Sequence, residues 1–81
     1  MTESELAKTL SVNIKKYRGK TTQESLAEKA ELSFQLINGI EGCRKWVSRN
    51  SLSKIADALG VEVYQLFIPQ DKSPIIIIEE T

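Results

Sequence analysis

Leu6, Leu10, Ile14 and Tyr17 recur at intervals of three and four along an otherwise polar stretch, the spacing of one face of an α-helix. The pattern predicts an amphipathic first helix from Ser4 or Glu5 to about Tyr17, with Val12 off the stripe and Gly19 ending it. A second helix is predicted over Gln23 to Ala30. Thr22 is a side-chain cap, Glu24 suits the positive end of the helix dipole, and Leu26, Ala27 and Ala30 form the buried face. Leu32 follows, and Ser33 then caps a third helix, whose Ile37 and Ile40 share one face. Only Glu31 to Ser33 separate these two helices, so they must cross steeply. Gly42 or Cys43 closes the third helix, and Arg44 to Val47 form a loop. Ser48 caps a fourth helix with Leu52, Ile55, Ala56 and Leu59 inward, and Gly60 stands where a left-handed cap is expected. Val61 to Phe67 fits one or two further helical turns, stopped by Pro69. Gln70 to Pro74 reads as a linker, and Ile75 to Ile78, β-branched throughout, reads as a strand. The expected architecture is therefore all-α: five helices in a domain over residues 1–69, then a linker and short C-terminal β-strand arm over 70–81.

Opposite Ile37 and Ile40, the third helix carries Gln35, Asn38, Gly39 and Gly42. Glycine costs a helix interior roughly 1 kcal/mol relative to alanine. Two of them on one polar face predict that something approaches that face closely.

Charge changes this picture more than composition does. The net charge is zero, yet nine of the eleven basic residues lie in two stretches without an acid, Lys8 to Lys20 and Arg44 to Lys54. Glu24, Glu28 and Glu31 lie between them. If folding brings the two stretches to one side, the domain presents a basic face; otherwise they are two solvated charge runs. The 81 residues suffice for one domain with a modest core. The absence of histidine removes the commonest general base and metal ligand, the carboxylates are scattered, and no glycine-rich phosphate loop is present. No enzymatic activity, metal or cofactor is expected. Cys43 is the only cysteine, which excludes an internal disulfide. The polar, acidic start and the short longest apolar run, Pro74 to Ile78, argue against a signal peptide or membrane span and for the cytoplasm.

The stretch QESLAEKAELSFQLINGIEG, Gln23 to Gly42, resembles the helix-turn-helix unit of the lambda-repressor-like family, the Cro and phage-repressor type. Leu26, Ala30, Leu32, Ile37 and Ile40 fall where that unit packs its two helices together. NIKKYR before it and NSLSKIADALGVEVYQLF after it extend the resemblance over about Leu6 to Phe67. The chain departs from the family pattern at several corners. Glu31 stands where glycine is usual in the turn, so either the backbone there is left-handed and mildly strained or the turn differs. Cys43 stands where glycine usually follows the recognition helix, and Gly42 is the available substitute. Thr21, Val47 and Glu62 replace a common apolar residue, a common proline and a better cap, and the loop after the first helix is about two residues short.

The resemblance implies a third helix lying in the DNA major groove with its first residues at base edges. Gln35 is then the candidate base reader, suited to adenine N6 and N7, and Phe34 packs on a thymine methyl or covers the core edge. Asn38 reads a base or holds a phosphate, Ser33 caps the helix, and Gly39 and Gly42 allow a close approach to the duplex. Gln23 contacts a phosphate and braces the recognition helix. Arg44, Lys45 and Arg49 flank the backbone as positioning contacts. For Trp46 packing is favoured over phosphate contact. Arg18 and Glu41 match the family's structural ion pair.

The implied function is a stand-alone, sequence-specific transcriptional regulator of repressor or controller type, bound to double-stranded DNA at a near-palindromic operator, with no small-molecule ligand and no membrane. Homodimerisation is assigned to Ile75, Ile76, Ile77 and Ile78, since a solitary apolar strand needs a partner for its backbone and side chains. The rival is a helical protein-interaction module, or an antitoxin-like partner, that keeps the fold without sequence-specific DNA binding.

Overall fold

The computed structural model describes residues 2–70 of the chain. Four α-helices, α1 (Glu3–Arg18), α2 (Gln23–Ala30), α3 (Phe34–Glu41) and α4 (Arg49–Leu59), precede a short 3-10 helix, Val63–Phe67. The all-helical class is as expected; the fifth α-helix is not. Its segment is only five residues long, buries only Leu66, and is opened by Glu62 without a side-chain oxygen cap. Instead the Gln65 side chain turns back to accept from the Glu62 N–H at 2.8 Å. So short a piece, with Val61 and Val63 of low helix propensity, closes as the tighter helix. No strand occurs among the described residues, and the expected strand Ile75 to Ile78 lies outside them. Among the described residues no helix is long and apolar enough to cross a membrane.

Every α-helix starts on a hydroxyl. The side-chain oxygens of Thr2, Thr22, Ser33 and Ser48 accept from the backbone N–H of Glu5, Ser25, Leu36 and Ser51 at 3.0–3.1 Å. Three of these caps are legible in the sequence. The fourth, Thr2, gains a reciprocal bond from its own N–H to the Glu5 carboxylate, a capping box that starts α1 at Glu3.

Three helix ends also share one construction. After α2, α3 and α4 the backbone turns left-handed at Glu31, Cys43 and Gly60. In each, the next amide reaches back five residues: Leu32 to Ala27, Arg44 to Gly39 and Val61 to Ala56, at 2.9, 2.7 and 3.0 Å. This satisfies carbonyls that a helix end leaves orphaned. Glu31 is thus left-handed despite its side chain, with φ 60° and ψ 41°. Gly42 does not substitute for Cys43. It stays right-handed at φ −93°, ψ 5°, and Cys43 takes the strained position.

The core joins Leu10 and Ile14 of α1, Leu26 and Ala27 of α2, Ile37 and Ile40 of α3, Ile55 and Ala56 of α4, and, outside the α-helices, Val47 and Leu66. Val47, standing in for the family's proline, is buried. Asn13 is fully buried as well, and its amide donates to the Leu66 and Ile68 carbonyls, both at 2.8 Å. Lys16 Nζ donates to Gln70 Oε1 at 2.8 Å. These bonds tie the end of the described chain to the second half of α1.

Candidate nucleic-acid interface

Glu41, in the last turn of α3, is the anchor of a polar chain that crosses three helices. Its carboxylate has a side-chain exposure of 1%. Arg18, from the last turn of α1, grips it with two parallel bonds, Nε to Oε2 and Nη2 to Oε1, each 2.8 Å. The guanidinium also donates to the Thr21 carbonyl at 2.7 Å. Ser11 Oγ donates to the Glu41 backbone carbonyl. The hydrogen bond to Glu41 holds the Arg18 pKa above its ordinary value; partial burial pulls the other way and the attraction of the carboxylate adds to the rise.

From Glu41 the chain runs outward. Gln23 Nε2, at the start of α2, donates to Glu41 Oε1 at 2.9 Å, and Asn38 Nδ2 donates to Gln23 Oε1 at 2.9 Å. Arg44 Nη2 closes the series on Asn38, donating to its side-chain oxygen and, at 3.2 Å, to its backbone carbonyl. A carboxylate can only accept, so the Gln23 amide must turn its nitrogen inward and its oxygen toward Asn38. The same logic then turns the Asn38 oxygen toward Arg44. Each acid-free basic stretch of the sequence contributes one residue, Arg18 at one end of the chain of bonds and Arg44 at the other.

The start of α3 is different in kind. Phe34 is 40% exposed and Gln35 is exposed as well. Ser33 is also exposed, its oxygen occupied as the cap of Leu36 N–H. Arg49 opens α4 and is exposed.

The close approach foreseen from the two glycines is made by the chain itself. A Cβ on Gly39 would stand 2.8 Å from Cγ and Cδ of Lys45, and one on Gly42 would meet the Arg44 guanidinium, 2.9 Å from its Cζ. Gly39 is consequently buried under the Lys45 stem. Both basic residues sit in the loop that folds back on α3, where the amides of Arg44 and Lys45 share the Gly39 carbonyl.

Of the residues singled out from sequence, Gln23, Asn38 and Arg44 are brought into one bonded chain, and Gly39 with Lys45 into one contact. Ser33, Phe34, Gln35 and Arg49 are exposed and stand apart from that chain. Trp46 is 54% exposed, bordering a cleft of about 620 Å³ between the start of α1 and its own loop, so its packing is partial. Sequence reasoning missed Ser11 and the seat at Gly42. Ser11 had a signal: Ala7, Ser11, Ile14 and Arg18 make a second stripe at helical spacing, beside the apolar one, and it faces α3.

The helix-turn-helix family model matches residues 14–66. The crystal structure of a hypothetical transcription factor, NHTF, from Neisseria superposes with a TM-score of 0.77 at 31% identity, over 84% of this chain and 79% of that one. The solution structure of the SOS-response transcriptional repressor LexA from Eubacterium rectale gives 0.75 at 19% identity over 96% and 84%, a likeness of fold. No curated protein matches the chain. With the match over residues 14–66 and the Arg18–Glu41 pair joining α1 to α3, the chain belongs to the lambda-repressor-like helix-turn-helix family of DNA-binding transcriptional regulators.

Proposed function

We propose that the protein is a sequence-specific regulator of repressor or controller type that reads the major groove of an operator with the first turn of α3. The observation that carries this reading is the exposed pair Phe34 and Gln35 on a helix that is capped at Ser33 and braced through Asn38 and Glu41. Placing a side chain against a base edge requires a rigid helix beneath it, and α3 has one. Gln35 takes the bidentate role on adenine, and Phe34 covers a thymine methyl. Arg44, Lys45 and Arg49 neutralise flanking phosphates, which orients the domain without reading sequence. Selection from random duplex DNA tests this directly. The expected result is one enriched motif whose binding weakens steeply with salt; a protein-interaction module would enrich none.

The operator is proposed to be near-palindromic and the regulator a homodimer joined through Ile75 to Ile78. The support is in the sequence: four consecutive β-branched apolar residues, which pairing with the same segment of a second copy would both hydrogen-bond and cover. Two copies of α3 about 34 Å apart would then meet successive major grooves. Truncation after Gln70, which keeps the Lys16–Gln70 bond, should give a monomer by sedimentation equilibrium at micromolar concentration. A dimer that survives truncation would assign the contact to the helices.

A further inference from the structure

We propose that Gly42 and Asn38 are positioning residues that hold the Arg44 guanidinium in one place for a DNA phosphate. This rests on the DNA-binding reading above and deepens it. Three observations converge. The guanidinium lies where a Gly42 side chain would begin, 2.9 Å from Cζ to the Cβ position. Its Nη2 is held twice by Asn38, on the backbone carbonyl and on the side-chain oxygen. The Asn38 amide, in turn, is oriented through Gln23 by the buried Glu41 carboxylate. Gly42 itself has an ordinary right-handed backbone, φ −93° and ψ 5°. Its missing side chain therefore serves no turn; it leaves room for Arg44.

Arginine carries five donors in a rigid fork. With Nη2 committed to Asn38, Nε and Nη1 make no hydrogen bond among the described residues and the side chain remains exposed. Nε–H and Nη1–H point to different edges of the guanidinium, so each can donate singly to a phosphate oxygen, and fixing the group in advance removes much of the ordering cost of a long side chain. Arg49, exposed and without a hydrogen-bond or ion-pair partner among the described residues, is the internal control: a cation of the same type that no described residue holds.

The test combines Gly42→Ala, Arg44→Ala, the double variant, and Arg44→Lys beside Arg49→Lys. On random-sequence duplex, Gly42→Ala should lower affinity with the slope of log affinity against log salt near that of the parent, because the cation is kept and only its seat is lost, whereas Arg44→Ala should also flatten the slope by roughly one unit. The double variant should lose no more than Arg44→Ala alone, and base preference on a selected site should stay put. Arg44→Lys should lose affinity with the salt slope kept, because the flexible ammonium is not seated as the planar guanidinium is between Gly42 and Asn38, whereas Arg49→Lys should bind as the parent. Parental binding by Gly42→Ala, or independent losses in the double variant, would overturn the proposal. A readout without DNA separates it from the function itself. In the free protein the Arg44 Nε–H and Asn38 side-chain amide NMR signals should be distinct and shift in Gly42→Ala; an Arg44 signal averaged like that of Arg49 overturns the positioning even if DNA binds. Failure of the parent to bind any duplex, with those signals as expected, would instead reject the DNA-binding reading and with it the phosphate as the ligand.

Discussion

At its first turn α3 holds Phe34 and Gln35 out to solvent, with no hydrogen bond from either side chain to any described residue. One turn later Asn38 has both amide atoms engaged, and Glu41 is bonded by Arg18 and Gln23. Eight residues of one helix thus divide into a free end and a saturated end. The difference teaches what a polar residue on this helix is for. Where the surroundings already satisfy it, it sets geometry; where they do not, its bonding capacity is kept for a ligand. Helical spacing puts Gln35 and Asn38 on the same face, and the family resemblance implies a base contact as a role open to both.

The largest effect should come from breaking the saturated end. Arg18→Ala leaves the Glu41 carboxylate buried beside Gln23 with no cation. Removing one partner of such a pair costs about 3–5 kcal/mol, read as a lower urea midpoint at unchanged m-value. Glu41→Gln should cost less, because Arg18, with 19% side-chain exposure, can turn to water. Since the Arg18 pKa is raised on folding, its contribution is complete below the ordinary arginine range and is lost only as pH climbs through the raised value. Arg18 titration should therefore leave stability flat with pH around neutrality. A loss below about 1 kcal/mol in Arg18→Ala, the scale of exposed pairs, would mean that the bidentate bond is surface decoration.

Next in size is the free end. Gln35→Ala removes a side chain that supports nothing inside the chain, so stability should stay within about 0.5 kcal/mol of the parent. Binding to the selected site should weaken by about 1–3 kcal/mol, with preference relaxed at one base pair. Arg18→Ala and Gln35→Ala would thus separate stability from recognition along one helix. An unchanged titration and unchanged preference for Gln35→Ala would remove the free end from the reading surface.

Arg49 gives a smaller, differently shaped effect. Arg49→Ala should weaken selected and random duplex about equally and flatten the salt slope by roughly one unit. A change in base preference with the slope intact would move Arg49 from the phosphates to the bases.

How much of this was legible follows from what each feature depends on. Caps at Thr22, Ser33 and Ser48 are local, one hydroxyl and one amide three residues on, and the sequence shows them. The inward residues Leu10, Ile14, Leu26, Ile37 and Ile55 follow from periodicity and are buried. The pinning of the Val63–Phe67 end by Asn13, a residue 53 positions away from Leu66, is a long-range bond that no local pattern reports. The two glycines of α3 suggest a close approach by DNA, whereas within the chain the groups beside them are Lys45 and Arg44, brought there by a left-handed turn at Cys43, a residue type that rarely adopts it. Ser11 carries only the weak signal of its place on the stripe with Ala7 and Arg18, and a serine beside an apolar stripe reads as surface until the carbonyl it bonds is known.

The smallest expected effect concerns the two corners that bound α3. Glu31 before it and Cys43 after it are both left-handed at φ 60° and neither is glycine. A left-handed backbone costs an ordinary residue roughly 1–2 kcal/mol, while glycine brings an entropic penalty of roughly 0.5–1 kcal/mol of its own. Glu31→Gly and Cys43→Gly should therefore each stabilise the fold by about 0.5–1 kcal/mol, seen as a raised urea midpoint. The gain should be greater at Glu31, whose negative charge also sits at the unfavourable end of the α2 dipole. At Cys43 a weak contact from Sγ to the Ala7 carbonyl at 3.8 Å is lost as well. Neither change touches Gln35 or the Asn38–Arg44 bonds, so DNA affinity should remain that of the parent. If Cys43→Gly lowered affinity while raising stability, the strain at Cys43 would be part of what holds Arg44 in place, and the saturated end of α3 would extend one residue further than its hydrogen bonds indicate.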